Sequence, residues 1–367
     1  MIDVATYDHA ETTARGGTLT WTWPAMMTPN VFAASGFPLR ISTTHELRPL
    51  LDAMHYQRFR PTLDELNGLS EAETQEFLDG LQQFFVFALE TFGAGEIPVP
   101  LNTLLVNFLT SRKLRALPRR ARVLEIGAGC GYLPFFCPES AGFEQRHQIE
   151  VTQSLYILQS RVNAFLYRAA FNDLALEPAP TARIGRFSRQ MRLHHGWHEP
   201  QYRITLKMAT RATLYPWWRI DDALDEEMEY DVIVSNANLA EMTHAATVYY
   251  FDMLQHRLAP DGVVLIEDLG AAASEADYER RQNVLTRLGY RALAHITPET
   301  EGARVARVNM LLVREGHPHW DDAAPRCEDQ HFPRDIPLVR AVYGLDRPPG
   351  DKPSRNGLFE AVRMRYG

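Results

Sequence analysis

Arg122-Val123-Leu124-Glu125-Ile126-Gly127-Ala128-Gly129-Cys130-Gly131-Tyr132-Leu133-Pro134 decides the fold of this chain. It opens as a short apolar strand and runs into a turn with glycine at every second position, leading towards a helix. Glycine without a Cβ turns tightly and lets backbone N–H groups approach a ligand. A strand, a glycine turn and a helix start form a ligand crevice at the carboxyl end of a parallel sheet. The dinucleotide fingerprint G-x-G-x-x-G needs its third glycine where Tyr132 stands, and no Gly-Lys-Ser/Thr follows, which excludes a Walker loop.

The spacing that remains, Glu125-Ile126-Gly127-Ala128-Gly129-Cys130-Gly131, resembles motif I of the class I S-adenosylmethionine (SAM) methyltransferases. That resemblance implies a loop of Gly127, Ala128, Gly129 and Gly131 wrapped around the methionine part of SAM. It also implies that Glu125 helps to hold the amino group of that part.

Working outward, Gln148-Ile149-Glu150-Val151 reads as the second strand, ending in an acid 19 positions after Gly131. Such an acid suits the ribose diol, because a carboxylate accepts two hydrogen bonds at once. Gln153 to Ala170 follows as a helix. Arg211 to Arg219 reads as a third core strand whose exit carries Trp217 and Trp218, either a buried aromatic corner or the lining of an adenine pocket. Tyr230 to Asn236 is a buried strand by its consecutive Val and Ile. The loop after it, Asn236-Ala237-Asn238-Leu239-Ala240-Glu241-Met242, resembles motif IV, in a form similar to sugar O-methyltransferases of bacterial biosynthetic clusters. Asn236 is therefore expected at the cofactor. Val263 to Gly270 is another strand, with Leu258–Gly262 as its helix–turn lead-in. Tyr290–His295 and Arg304–Val313 read as the closing antiparallel pair after a helix from Glu275 to Leu288. The resemblance spans residues 101–315 and implies an α/β fold with a Rossmann-like seven-stranded methyltransferase sheet, carrying an insertion at about 175–211.

The flanks are read from pattern alone. Residues 1–100 form a mainly helical region. Its start is turn-rich, with Thr18–Trp23 reading as a strand or an edge hairpin. A helix is expected from Thr44 with Leu47, Leu50, Leu51 and Met54 on one stripe, and a second after Ser70, capped reciprocally by Glu73. A third helix spans Leu101 to Leu117 and stops at Pro118. Residues 316–367 are a C-terminal extension whose one apolar run, Leu338–Tyr343, docks on the core of its own chain or of a second copy, leaving a homodimer open.

Methyl transfer to a hydroxyl benefits from a base. His244 titrates near neutral pH, and Glu241 lies one helical turn before it, so both are candidate catalytic residues. Their alternatives are capping, with Asn238 paired to Glu241, and a surface histidine. Glu267 and Asp268 either cap a helix or bind substrate or a divalent ion. Among His194, His195 and His198, two histidines three or four apart can share a metal, but no cysteine sits nearby and Glu199 is the only adjacent acid, so no metal is assigned.

Across 367 residues the formal net charge is −8, without a basic block, which disfavours a nucleic-acid partner. Three cysteines without zinc or disulfide spacing suit a reducing cytosol, and no apolar run has the length to cross a bilayer. The reading is a cytoplasmic SAM-dependent methyltransferase of a small molecule, with a sugar or natural-product hydroxyl as first acceptor. The alternatives are N- or C-methylation and a non-catalytic SAM-fold protein that binds a partner.

Overall fold

The structure is a computed structural model, and it describes residues 2–16, 38–52, 54, 58–177, 210–224, 228–239, 241–267, 275–296, 308–321, 325–327 and 332–366. The expected strand at 18–23, most of the insertion at about 175–211, the histidines at 194, 195 and 198, and Asp268 lie outside the described residues.

One nine-stranded sheet organises the chain, in the order β3-β4-β2-β1-β5-β6-β8-β7-β9. β1 (Arg122–Ile126) pairs in parallel with β2 (Gln145–Glu150) on one side and β5 (Tyr230–Asn236) on the other. β2 continues in parallel to β4 (Ala212–Pro216), and β5 to β6 (Leu258–Glu267). β8 (Asn309–Val313) runs antiparallel to β6 and to β7 (Arg291–Ile296), as the closing pair was expected to. These seven strands are the expected methyltransferase-type sheet. One strand is added at each edge: β3 (Phe171–Asp173) beside β4 and β9 (Phe332–Pro333) beside β7.

The chain leaves β1 towards β2 on one side and returns to β5 on the other. A crevice must therefore open between the carboxyl ends of β1 and β5, where strand order reverses. All positions of β5 but Asn236 are buried, as in a strand covered on both faces.

Helices cover both faces. α1 spans Val4–Gly16, α2 Phe59–Glu65, α3 Glu71–Phe92, α4 Leu101–Arg115, α5 Gln153–Tyr167, α6 His244–Gln255, α7 Glu275–Arg287, α8 Pro337–Tyr343 and α9 Arg355–Tyr366. α3 starts with the capping box foreseen: Glu73 N donates to Ser70 Oγ at 3.3 Å, and Ser70 N to Glu73 Oε2 at 2.9 Å. Such a cap contributes about 1 kcal/mol. Phe77, Phe84 and Phe87 of α3 are fully buried against Phe108 of α4 and Tyr132, Phe135 and Phe136, which follow the glycine loop. The N-terminal helices thus share their core with the loop that decides the fold.

Four local expectations are corrected. The turn-rich start is a helix, α1. Its buried stripe of Val4, Tyr7, Glu11 and Ala14 includes a carboxylate, so hydrophobic periodicity does not mark it. Glu11 accepts from Arg40 Nη1 at 2.6 Å and Trp217 Nε1 at 2.9 Å. The helix from Thr44 is two 3-10 turns, Thr44–Leu47 and Pro49–Asp52, because Pro49 has no N–H with which to continue the ladder. The lead-in Leu258–Gly262 is the first half of β6, with a register shift opposite Tyr230–Val232. The glycine loop enters only a single turn, Leu133–Phe136, followed by Cys137 and Pro138, so no long helix starts there.

The tail is tied down within its own chain. α8 buries Val339, Val342 and Tyr343 in the apolar cluster that holds Leu114 and Leu117. At Gly68 and Gly350 the two backbones pass so closely that a Cβ on Gly68 would meet the Gly350 carbonyl oxygen at 2.2 Å. Leu69 and Asp351 exchange backbone hydrogen bonds of 2.8 and 2.9 Å there.

Candidate active site

A cavity lies in the crevice that the topology demands. Gly127 and Gly129 form its floor, Glu150, Val151 and Thr152 one wall, Asn236 to Asn238, Glu241 and Met242 the other. Met54, Ile126, Ile149, Leu155 and Tyr250 complete it.

The glycine loop is held in a conformation that few other residues tolerate. Gly127, Gly129 and Gly131 have φ of 62°, 58° and 72°, the left-handed region. A Cβ on Gly127 would lie 2.1 Å from Asn238 Nδ2, and one on Gly129 would lie 2.7 Å from Met54 Sδ. Asn238 locks the opposite wall to the loop: its Nδ2 donates to the Ile126 carbonyl and its Oδ1 accepts from Ser235 Oγ at 2.6 Å. Ala237, between the two asparagines, has φ of 54°, a strained state for a residue with a Cβ and one that clusters at functional sites.

Glu150 ends β2 at the cavity and is 3 % exposed. Its Oε1 accepts from Thr152 N and its Oε2 from Gln159 Nε2, both at 2.8 Å. Burial pushes its pKa up to about 7, against the lowering effect of those donors. The Thr152 hydroxyl and the Val151 amide act on the same carboxylate.

Among the lining residues the charged ones are Glu150 and Glu241; none is Lys, Arg or His. The single turn after the loop supplies no sizeable helix dipole. The lining therefore favours a cationic or neutral ligand over a phosphate. One buried polar atom of the walls, Asn236 Oδ1, has no hydrogen-bond partner, which is costly unless a ligand or water supplies one.

Of the residues singled out in the sequence, the structure brings Gly127, Gly129, Glu150, Asn236 and Glu241 together around the cavity. The others stand elsewhere. Ala128 is buried beneath the loop, and Gly131 faces Gln159, whose Cγ would lie 2.7 Å from an added Cβ. Glu125 points into the sheet and accepts from Arg146 Nη2 at 2.8 Å and Gln148 Nε2 at 2.9 Å. His244 is the exposed first residue of α6. Its pKa lies below the ordinary value, through burial and then the charges of Arg281, Arg287 and Arg280, which keeps the ring neutral. The helical relation expected between Glu241 and His244 does not form, because α6 begins only at His244. The cap is Thr243, accepting from Ala246 N at 3.1 Å, and not Asn238. Trp217 and Trp218 pack against α1 outside the cavity lining.

Glu267 is fully buried and committed to Lys113, whose Nζ donates to its two oxygens at 2.9 and 2.8 Å. Lys113 Nζ also reaches Glu65 Oε1 at 2.6 Å. Among the described residues no group of three or more His, Cys, Asp or Glu is arranged to hold a metal, and no helix is long and apolar enough to cross a membrane.

Sequence reasoning missed Met54, Thr152, Leu155, Met242 and Tyr250 as lining residues, and Asn238 as the lock. Leu155 and Tyr250 belong to helices whose apolar stripe hides a cavity-facing residue. Asn238, two positions past the end of β5, had a local signal that fitted a cap equally well.

No family model matches the chain, and no curated protein matches it. Solved structures resemble it at low identity. Magnesium protoporphyrin IX methyltransferase from Synechocystis PCC 6803, solved with bound SAM, has 13% identity and a TM-score of 0.34, over 67% of this chain and 99% of that one. An O-methyltransferase from Bacillus cereus has 12% identity and a TM-score of 0.34, over 67% and 92%. Ribosomal protein L11 methylase from Lactobacillus delbrueckii subsp. bulgaricus has 13% identity and a TM-score of 0.33, over 60% and 80%. The Rossmann-like α/β architecture of this chain is carried by its own strand order and by the switch point at β1 and β5.

Proposed function

We propose that this protein is a SAM-dependent methyltransferase of a small molecule, with a hydroxyl of a sugar or natural product as the acceptor. The observation that carries the reading is the cavity itself: a left-handed glycine loop faces two carboxylates and no cation at the sheet's switch point. A sulfonium and an α-amino group are cationic, and a ribose diol needs acceptors, so the lining suits SAM where it would repel a dinucleotide phosphate. The unpartnered wall atom Asn236 Oδ1 and the cradle that a Cβ on Gly129 would fill support the same fit.

When bound, SAM supplies an activated methyl carbon, the protein's part being alignment and electrostatics. The loop at Gly127 and Gly129 would hold the methionine part, and Glu150 the ribose hydroxyls. Asn236 would supply an acceptor at the wall. Glu241, which lines the cavity, is the stronger candidate to take the proton of an acceptor hydroxyl. His244, outside the lining, would act on an acceptor that extends beyond the cavity mouth, or not at all. Oxygen as the acceptor atom and the sugar class rest on the motif IV resemblance at Asn236–Met242; nitrogen and carbon acceptors are the other outcomes of an assay.

Calorimetric titration with SAM tests the cofactor, and a screen for labelled-methyl incorporation into small molecules tests the acceptor. Gly129→Val, forced into a left-handed backbone and against Met54, is expected to lose SAM binding while unfolding cooperatively like the wild type. Wild-type protein that binds no SAM would instead favour a partner-binding protein on the same fold.

A further inference from the structure

Gln159 lies in the middle of α5, is fully buried, and lines no part of the cavity. Its Nε2 donates twice: to Glu150 Oε2 at 2.8 Å and to the carbonyl oxygen of Gly129 at 2.7 Å. One amide group therefore spans the two parts of the site that come from different strands, the acid ending β2 and the loop following β1. Both bonds use its two N–H donors, and its Oε1 is left buried without a partner.

Space for this side chain comes from the third glycine of the loop. Gln159 Cγ and Cβ would lie 2.7 and 3.4 Å from a Cβ on Gly131, so any larger residue there would displace the amide. Gly131 itself does not line the cavity. Its smallness serves the helix behind the loop, and the loop motif thus extends, in three dimensions, to a residue 28 positions downstream.

We propose that Gln159 is a positioning residue of the cofactor site, fixing the Glu150 carboxylate in register with the Gly129 backbone so that both engage one ligand. The inference rests on the SAM reading of that site. Unlike a residue that only fills the core, Gln159 acts on the ligand through Glu150. Its loss must therefore be felt chiefly by a ligand that carries ribose hydroxyls.

The test measures affinity for S-adenosylhomocysteine and for a counterpart lacking both ribose hydroxyls, in wild type and in Gln159→Met. Methionine keeps the unbranched shape against Gly131 and removes both donors. The expected result is a loss of about tenfold for S-adenosylhomocysteine and of less than about threefold for the counterpart, as for a hydrogen bond to a charged group. Adding Glu150→Gln to Gln159→Met should then cost less than the two changes made separately, since the two residues act as a unit. If Gln159→Met does not fold, Gln159→Asn, whose amide falls short of both acceptors, carries the same comparison. Equal losses for the two ligands, or no loss, overturn the inference. Wild-type protein that binds neither ligand overturns the SAM reading itself, a result distinct from either.

Discussion

Two carboxylates end parallel strands of this sheet and are equally buried, yet they are treated in opposite ways. Glu267, at the end of β6, is met by the ammonium of Lys113 on two oxygens. Glu150, at the end of β2, is met by neutral donors, among them the Thr152 amide and the Gln159 side chain. A buried charge without a counter-charge is expensive, and the elevated pKa of Glu150 records that expense. The contrast teaches how to sort acids at a sheet edge. The one answered by a cation is spent on structure; the one left half-answered is available to a ligand.

The compensated side should break most dramatically. Lys113→Met leaves the buried Glu267 and the half-buried Glu65 without their ammonium and is expected to cost about 3–5 kcal/mol in denaturant unfolding. A loss under about 1 kcal/mol would mean that water reaches the pair. On the cavity side, Glu241→Gln should lower the methylation rate by about a hundredfold while leaving SAM affinity within about twofold, the signature of a lost general base. His244→Ala should change that rate less than Glu241→Gln does; the reverse order would move the base to the cavity mouth.

Glu150→Gln is expected to weaken SAM binding by about tenfold through the loss of the charged acceptor. The same residue gives a pH signature of definite sign. Its folded pKa, about 7, lies above its ordinary 4.5, so the folded state holds the proton more tightly. Without ligand, its contribution to stability is complete below about 4.5 and is lost as pH rises towards about 7. Affinity for a diol runs the other way and improves through the same window, because the ionised carboxylate is the better acceptor. The buried phenols facing Glu150, Tyr7 and Tyr250, stay neutral throughout, since burial raises their pKa further. Melting temperatures of wild type and Glu150→Gln should lie closer at pH 4.5 than at pH 7, and an offset that does not change between them removes Glu150 as the group responsible.

The sheet was legible because its signals are local. Strand, glycine turn and strand-end acid sit within about thirty residues, and the capping box of α3 within four. Glu150, Gly127, Gly129 and Asn236 reach the cavity because a parallel sheet delivers strand ends to one edge whatever the rest of the chain does. Partner choice was not legible. Glu125 lies as close to the glycines as the resemblance requires, but Arg146 and Gln148 on β2 face it across the sheet. Lys113 pairs with a residue 154 positions away, and as a charged side chain on a helix it reads as a solvated one. α1 was hidden because Glu11 occupies its buried stripe, satisfied by Arg40 and Trp217 from distant segments. A pattern of apolar residues marks a face, but cannot tell which polar residue on that face has found its complement elsewhere.

The crossing of Gly68 with Gly350 has a consequence in time. The segment that precedes α3 finds its backbone partner at Leu69 only when Asp351 has been synthesised, nearly three hundred residues later. At roughly 5–20 residues per second, that interval is on the order of tens of seconds. Throughout it the growing chain carries an unfinished seam at its N-terminal end. Only when the tail emerges can the seam be stitched, so a ribosome stalled before position 350 leaves that end without its final clasp.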